Sequence, residues 1–147
     1  MNNNNKRERL FDNLPPNQTT LEETVAIQDR ARKAGFDWEK RQDVWKKVKE
    51  ELAELEVEVE KCDAEKMEEE FGDFLFSMIN AARLYNINPE KALKCCNNKF
   101  RNRFGHIEDR AFESGKRISE MSLEEMASYW NEAKAIERGL KIDNIKK

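Results

Sequence analysis

The sequence predicts an all-α fold, a bundle of about five helices. Three observations carry that prediction. Charged residues make up 39% of the 147, while glycine and proline number only five and three, a composition that favours helices with short connections. Apolar residues recur at three- and four-residue spacing, and no stretch shows convincing period-two alternation. Helix start and stop residues fall at the ends of the periodic stretches.

The elements follow in order. The opening "MNNNN" is low in complexity, so 1–17 is expected to be a disordered or extended arm, closed by Pro15 and Pro16. A first helix is predicted over Leu21–Ala34, with Thr20 as cap, Glu22 and Glu23 in its first turn and Gly35 ending it. A second is predicted over Trp38–Lys61 with Asp37 as cap, and a third over Ala64–Tyr85 behind Asp63. Asn88 and Pro89 open a fourth, expected to run to about Phe104 and stop at Gly105, with a short helical turn over Glu108–Phe112. Ser122 and Glu125 have capping-box spacing for a fifth helix, Leu123–Arg138, with Gly139 after it. The expected organisation is one helical domain over 18–140 and a tail at 141–147.

Composition excludes some functions. With 27 basic and 30 acidic residues, net charge is −3, which argues against a nucleic-acid binder held by bulk electrostatics. No apolar run is long enough to cross a membrane, and no secretory signal is read. Three cysteines, Cys62, Cys95 and Cys96, make an odd set; reduced thiols in a cytoplasm are expected, with Cys95 and Cys96 in the core or at an interface. His106 is the sole histidine and receives no role.

The acids of "KEELAELEVEVEKCDAEKMEEEFGD", Lys49 to Asp73, are the informative stretch. Acid runs on helices are usually solvated faces, and Glu50, Glu56, Glu60, Glu68 and Glu69 fit that reading. At 100° per residue, with Glu51 at zero, Val44, Val48, Leu52, Leu55 and Val59 form a stripe between roughly 20° and 100°, edged by Glu51, Glu54 and Glu58. With Glu70 at zero, Met67, Phe71, Phe74, Met78 and Ala82 form the matching stripe on the third helix, edged on the same rotational flank by Asp73, Ser77 and Asn80. The link at Cys62–Asp63 permits only an antiparallel hairpin, in which equal flanks fall on the same side. Both acid pairs lie roughly 14–15 Å from the turn at about 1.5 Å per residue. Glu51, Glu54, Glu70 and Asp73 are therefore expected to converge. Four anions so placed repel unless a cation intervenes, and all-oxygen ligation suits Mg²⁺, with Mn²⁺ as a substitute. Mg²⁺ commonly bridges to phosphates, so a phosphate ester or anhydride is the expected substrate.

These residues resemble a known family. "EELAE" followed by "EEFGD" is similar to the E-E-x-x-E … E-x-x-D signature of the MazG family of all-α nucleoside triphosphate pyrophosphohydrolases. "GFDW" at Gly35–Trp38, "VWKKVKEEL" at Val44–Leu52, "EEEFGDFLFSMINAARL" at Glu68–Leu84, "NKFRNRF" at Asn98–Phe104 and "YWNEAK" at Tyr129–Lys134 resemble its C-terminal, catalytic domain, over roughly Leu10 to Ile136. The resemblance implies a helical fold that dimerises, with a tetramer as the other possibility. It also implies Mg²⁺-dependent hydrolysis of nucleoside triphosphates to monophosphate and pyrophosphate. It makes Glu51, Glu54, Glu70 and Asp73 the metal ligands, matches Lys66 to the substrate-side lysine that precedes the second acid pair and Lys99 and Arg103 to phosphate-binding basic residues, and places Trp130 and Lys134 near the nucleotide. Many family members carry two such domains; this chain has one.

Read physically, Lys99 and Arg103 share one helix face and can hold phosphate, or simply face solvent. Trp130 can stack on a base or cover the core. Asn80, one turn beyond Ser77, can bond sugar or phosphate, or fill a buried gap. The expected reaction is attack of water on the α-phosphorus, with Glu51 or Glu54 as base. The competing reading is a non-catalytic helical interaction module. A di-iron bundle would need Glu-x-x-His pairs that His106 does not supply, and "KFRNRF" alone is poor support for RNA binding.

Overall fold

The computed structural model describes residues 7–139. Its regular elements are α1 (Thr20–Lys33), α2 (Val44–Lys61), α3 (Ala64–Leu84), α4 (Pro89–Glu113) and α5 (Leu123–Glu137), with 3₁₀ turns at Arg41–Asp43 and Ile118–Glu120. No strand occurs among the described residues, and none of the helices is long and apolar enough to cross a membrane. The chain divides between Glu90 and Lys91 into two compact units.

In the first unit, α1 starts one residue earlier than expected. Thr19, not Thr20, is its cap, accepting from the Glu22 N–H at 3.2 Å. Gly35, at φ +97°, ends the helix and lets the Phe36 N–H reach the Ala31 carbonyl at 2.9 Å, a closure that favours glycine. The helix expected from Trp38 begins only at Val44, because Lys40 is extended and a 3₁₀ turn intervenes. Asp37 is not its cap: the carboxylate is paired with Arg83 at 2.8 Å, a tertiary partner that a local pattern cannot reveal. Asp63 does cap α3, accepting from the Lys66 N–H at 3.3 Å. Within the expected arm, 10–13 forms a turn. The Arg30 guanidinium pins it by donating to the carbonyls of Leu10, Asp12 and Asn13. Residues 1–6 and the expected tail lie outside the described residues.

The α2–α3 hairpin is rotated relative to the expected stripes. Val44 and Leu55 are buried on α2, but Leu52 and Val59 are exposed. On α3 the buried residues are Ser77 and Ala81, while Phe71 is 51% and Met78 47% exposed. In both helices the buried line has shifted towards the acid flank, leaving an apolar face at roughly 80–100° in the same angular frame open.

In the second unit, α4 does not stop at Gly105. It continues to Glu113, absorbing the turn expected over Glu108–Phe112. A mid-helix glycine costs about 1 kcal/mol against alanine, and burial of Ile107 and Ala111 just beyond it outweighs that. The helix ends before Gly115, at φ +68°, where the Lys116 N–H reaches the Ala111 carbonyl at 2.9 Å. Ser122 caps α5 by accepting from the Glu125 N–H at 3.0 Å. Ile107, Ala111 and Met121 form the core here, with Phe104, Ile118, Met126, Tyr129 and Trp130 against them.

Candidate functional site

Hairpin geometry brings Glu51, Glu70 and Asp73 together: one carboxylate oxygen from each lies within 4.8 Å of the others. Glu51 is only 6% exposed. Glu54 lies outside this group of three and is exposed. Its charge still reaches the cluster. Loss of water contact pushes the Glu70 carboxyl above its ordinary value, and the charges of Glu54, Asp73 and Glu51 push it further.

Lys47 was missed as a site residue. Its Nζ lies 2.6 Å from Glu51 Oε1, and that hydrogen bond holds the ammonium above its usual range. The signal was present as a lysine four residues before a glutamate on one helix, hidden among many such pairs in a charged chain. One lysine does not satisfy the cluster: Glu51 Oε2 and Glu70 Oε2 are buried without a hydrogen-bond partner. Buried carboxylate oxygens without donors are a liability unless a cation takes them. The oxygen-only donor set fits a hard divalent ion such as Mg²⁺ or Mn²⁺.

A cavity of about 700 Å³ adjoins these acids. Glu51, Asp73 and Lys47 line it, together with Ile27, Phe36, Trp38 and Phe76 as apolar walls and Gln28, Ser77, Asn80 and Arg83 as polar groups. Leu10 and Phe11 from the pinned arm line it as well. Ser77 is buried, its hydroxyl donating to the Phe74 carbonyl at 2.7 Å. Asn80 Oδ1 accepts from Arg83 Nε and Nη2, at 3.2 and 2.6 Å, and Asp37 holds the same guanidinium.

Residues 39–107 match the MazG nucleotide pyrophosphohydrolase domain. Those residues of the chain carry a MazG domain. The chain is 36% identical over 129 residues to the nucleoside triphosphate pyrophosphohydrolase/pyrophosphatase MazG of Thermotoga maritima, covering 88% of this chain and 49% of that protein. It is 35% identical over 126 residues to the nucleoside triphosphate pyrophosphohydrolase of Escherichia coli strain K12, covering 84% of this chain and 48% of that protein. A 69-residue match to the uncharacterized protein YabN of Bacillus subtilis is 55% identical, over 47% of this chain and 14% of that protein. The chain thus spans about half the length of the two pyrophosphohydrolases it matches.

The other residues suggested by the MazG resemblance are distributed differently. Lys66 is exposed in the first turn of α3 and does not line the cavity. Lys99, Arg103, Trp130 and Lys134 all belong to the second unit. There Arg103 is paired with Glu137, its Nη2 2.9 Å from Oε2, and its guanidinium lies 5.4 Å from the centre of the Trp130 ring. Trp130 is half-buried, packs on Phe100 with ring centres 5.1 Å apart and covers the core. Lys99 is exposed and Lys134 half-buried. Cys95 and Cys96, read as core or interface thiols, are exposed, as is Cys62, so none is in the core of this chain.

Proposed function

We propose that this MazG domain hydrolyses nucleoside triphosphates to the monophosphate and pyrophosphate, in a Mg²⁺-dependent reaction with water attacking the α-phosphorus. The observation that carries this reading is the trio Glu51, Glu70 and Asp73, with two buried oxygens left without partners beside an open cavity. The names of the two pyrophosphohydrolases support it. Glu51, Glu70 and Asp73 would hold the ion, with Glu54 at the margin. When bound, Mg²⁺ supplies positive charge that offsets both the carboxylates and the triphosphate. Lys47 fixes one oxygen of Glu51, so that the other stays turned to the ligand. Glu54, whose carboxylate is outside the trio, is the general base: it orients a water and accepts its proton. Lys66, Lys99, Arg103, Trp130 and Lys134 remain assigned to substrate by family resemblance, and Asn80 by its place on the acid flank. For Arg103 that role requires exchanging Glu137 for phosphate.

The chain acts as a homodimer in the cytoplasm, in this reading. The open apolar face of Leu52, Val59, Phe71 and Met78 supports self-association, since such patches mark interaction surfaces. Reaction class is tested by resolving products: monophosphate plus pyrophosphate is expected, and diphosphate plus orthophosphate would reject attack at the α-phosphorus. Metal dependence is tested by melting the protein in Mg²⁺ and in EDTA. A ligand that binds only the folded state at a hundred times its Kd adds about 2.7 kcal/mol, so a rise of several degrees in Mg²⁺ is expected, and identical curves would reject the metal site.

A further inference from the structure

Four polar or charged residues are buried among the described residues, and three of them, Gln28, Glu51 and Ser77, line the cavity beside the acids. Glu51 belongs to the cluster, and the Ser77 hydroxyl is used within its own helix. Gln28 is different. It is 4% exposed and is the buried residue of α1, at a position where leucine or methionine would pack without polar cost. Its Nε2 donates to the Phe76 carbonyl on α3 at 3.0 Å. That bond fixes the carboxamide, because turning it over would set two oxygens against each other. Oε1 is then buried with no donor, and an unmet buried acceptor carries its full desolvation cost.

Gln28 lines the cavity, so a ligand there is in position to supply the missing donor. The walls there are Ile27, Phe36, Trp38 and Phe76, apolar surfaces, three of them aromatic, suited to the faces of a heterocycle. Among nearby polar groups, Arg83 is held by Asp37, and Asn80 Oδ1 is filled by Arg83. A ring with an N–H on its edge meets both requirements. We propose that Gln28 is a base-reading residue, its Oε1 accepting an N–H from the nucleobase of a triphosphate whose phosphates go to the acid cluster. The proposal rests on the pyrophosphohydrolase reading above and adds to it the residue that selects among substrates. A site that hydrogen-bonds a substrate group discriminates strongly against an analogue lacking it, because the site's own group is then left unpaired.

Two substrate pairs test this. ATP is compared with purine riboside triphosphate, and CTP with 2-pyrimidinone riboside triphosphate; each analogue lacks the base's only N–H bonds. In the wild type, kcat/KM is expected to favour the N–H-bearing member of at least one pair by about tenfold or more. In Gln28→Met that preference should fall to within about twofold. The idea is overturned if the wild type treats both pairs alike, a comparison that needs no variant to fold. It is also overturned if the preference survives Gln28→Met, or if that variant loses all four substrates equally. Wild-type protein that leaves all four intact would overturn the pyrophosphohydrolase reading as well, which distinguishes the two failures.

Discussion

Glu51 and Glu132 are each 6% exposed, yet they live in opposite circumstances. Glu132, on α5, has one oxygen held by donors from two side chains: Arg110 Nε lies 2.9 Å and His106 Nε2 3.0 Å from its Oε1. Burial pushes its carboxyl up, but the bonds from Arg110 and His106 outweigh that and hold it below the ordinary value. Glu51 has one lysine on one oxygen, a bare second oxygen, and Glu70 and Asp73 beside it. A satisfied buried acid serves the fold. An unsatisfied one, aligned with others, is a site waiting for a ligand, and the stability given up there is the signature of function.

The largest expected effect comes from removing the charge of Glu51. In Glu51→Gln the amide oxygen can still accept from Lys47, so the fold loses little while the cluster loses an anion. Hydrolysis should fall by at least about a hundredfold, with the metal-free melting temperature unchanged or raised. A steady-state assay and a melt in EDTA read both. Loss of stability together with activity would place Glu51 in the structural class of Glu132 and erase the contrast.

Glu132→Gln should do the reverse. Arg110 keeps Glu113, 2.9 Å from its Nη1, but loses its buried counter-charge, which costs about 1 kcal/mol, or about 3 °C in a chain of this size. The gain in stability from Mg²⁺ should persist. A variant as stable as the wild type would mean that the Glu132 network contributes only orientation.

The same contrast has a pH dependence. Because the folded-state value of Glu132 is depressed, its contribution is fully present above the ordinary glutamate value of 4.5 and is lost as pH falls through the depressed one. The stability difference between wild type and Glu132→Gln, from urea denaturation, should therefore be level from neutral pH down to 4.5 and shrink below it. A difference that grows on acidification would contradict the sign.

What the sequence revealed and what it hid differ in physical kind. The acid convergence was legible because a tight antiparallel hairpin leaves angle and height as the only variables, and both are fixed by helical repeat. Glu54 missed the trio because such arithmetic cannot resolve side-chain reach. The expected stripes misplaced the burial on α2 and α3 because periodicity counts any apolar residue as inward, whereas Phe71 and Met78 are exposed. Asp37 was read as a cap because its partner, Arg83, is 46 residues away. His106 showed nothing, since a network with Glu132 and Arg110 requires α4 to run through Gly105. Gln28 was silent for a related reason: an unmet acceptor is defined by its surroundings.

The smallest expected effect concerns the turn on which the acid convergence depends. Cys62 closes α2 in the left-handed region at φ +56°, where a side chain costs about 1–2 kcal/mol. Cys62→Gly removes that strain but frees the unfolded chain by about 0.5–1 kcal/mol. The net gain should be about 0.5 kcal/mol, one or two degrees in a melt. Because the turn lies roughly 16 Å along α2 from Glu51, this gain should add to the effect of Glu51→Gln without interaction. Non-additivity in the double variant would mean that strain at Cys62 is transmitted to the carboxylates. The hairpin would then be a tensioned part of the site, unlike the relaxed, donor-held setting of Glu132.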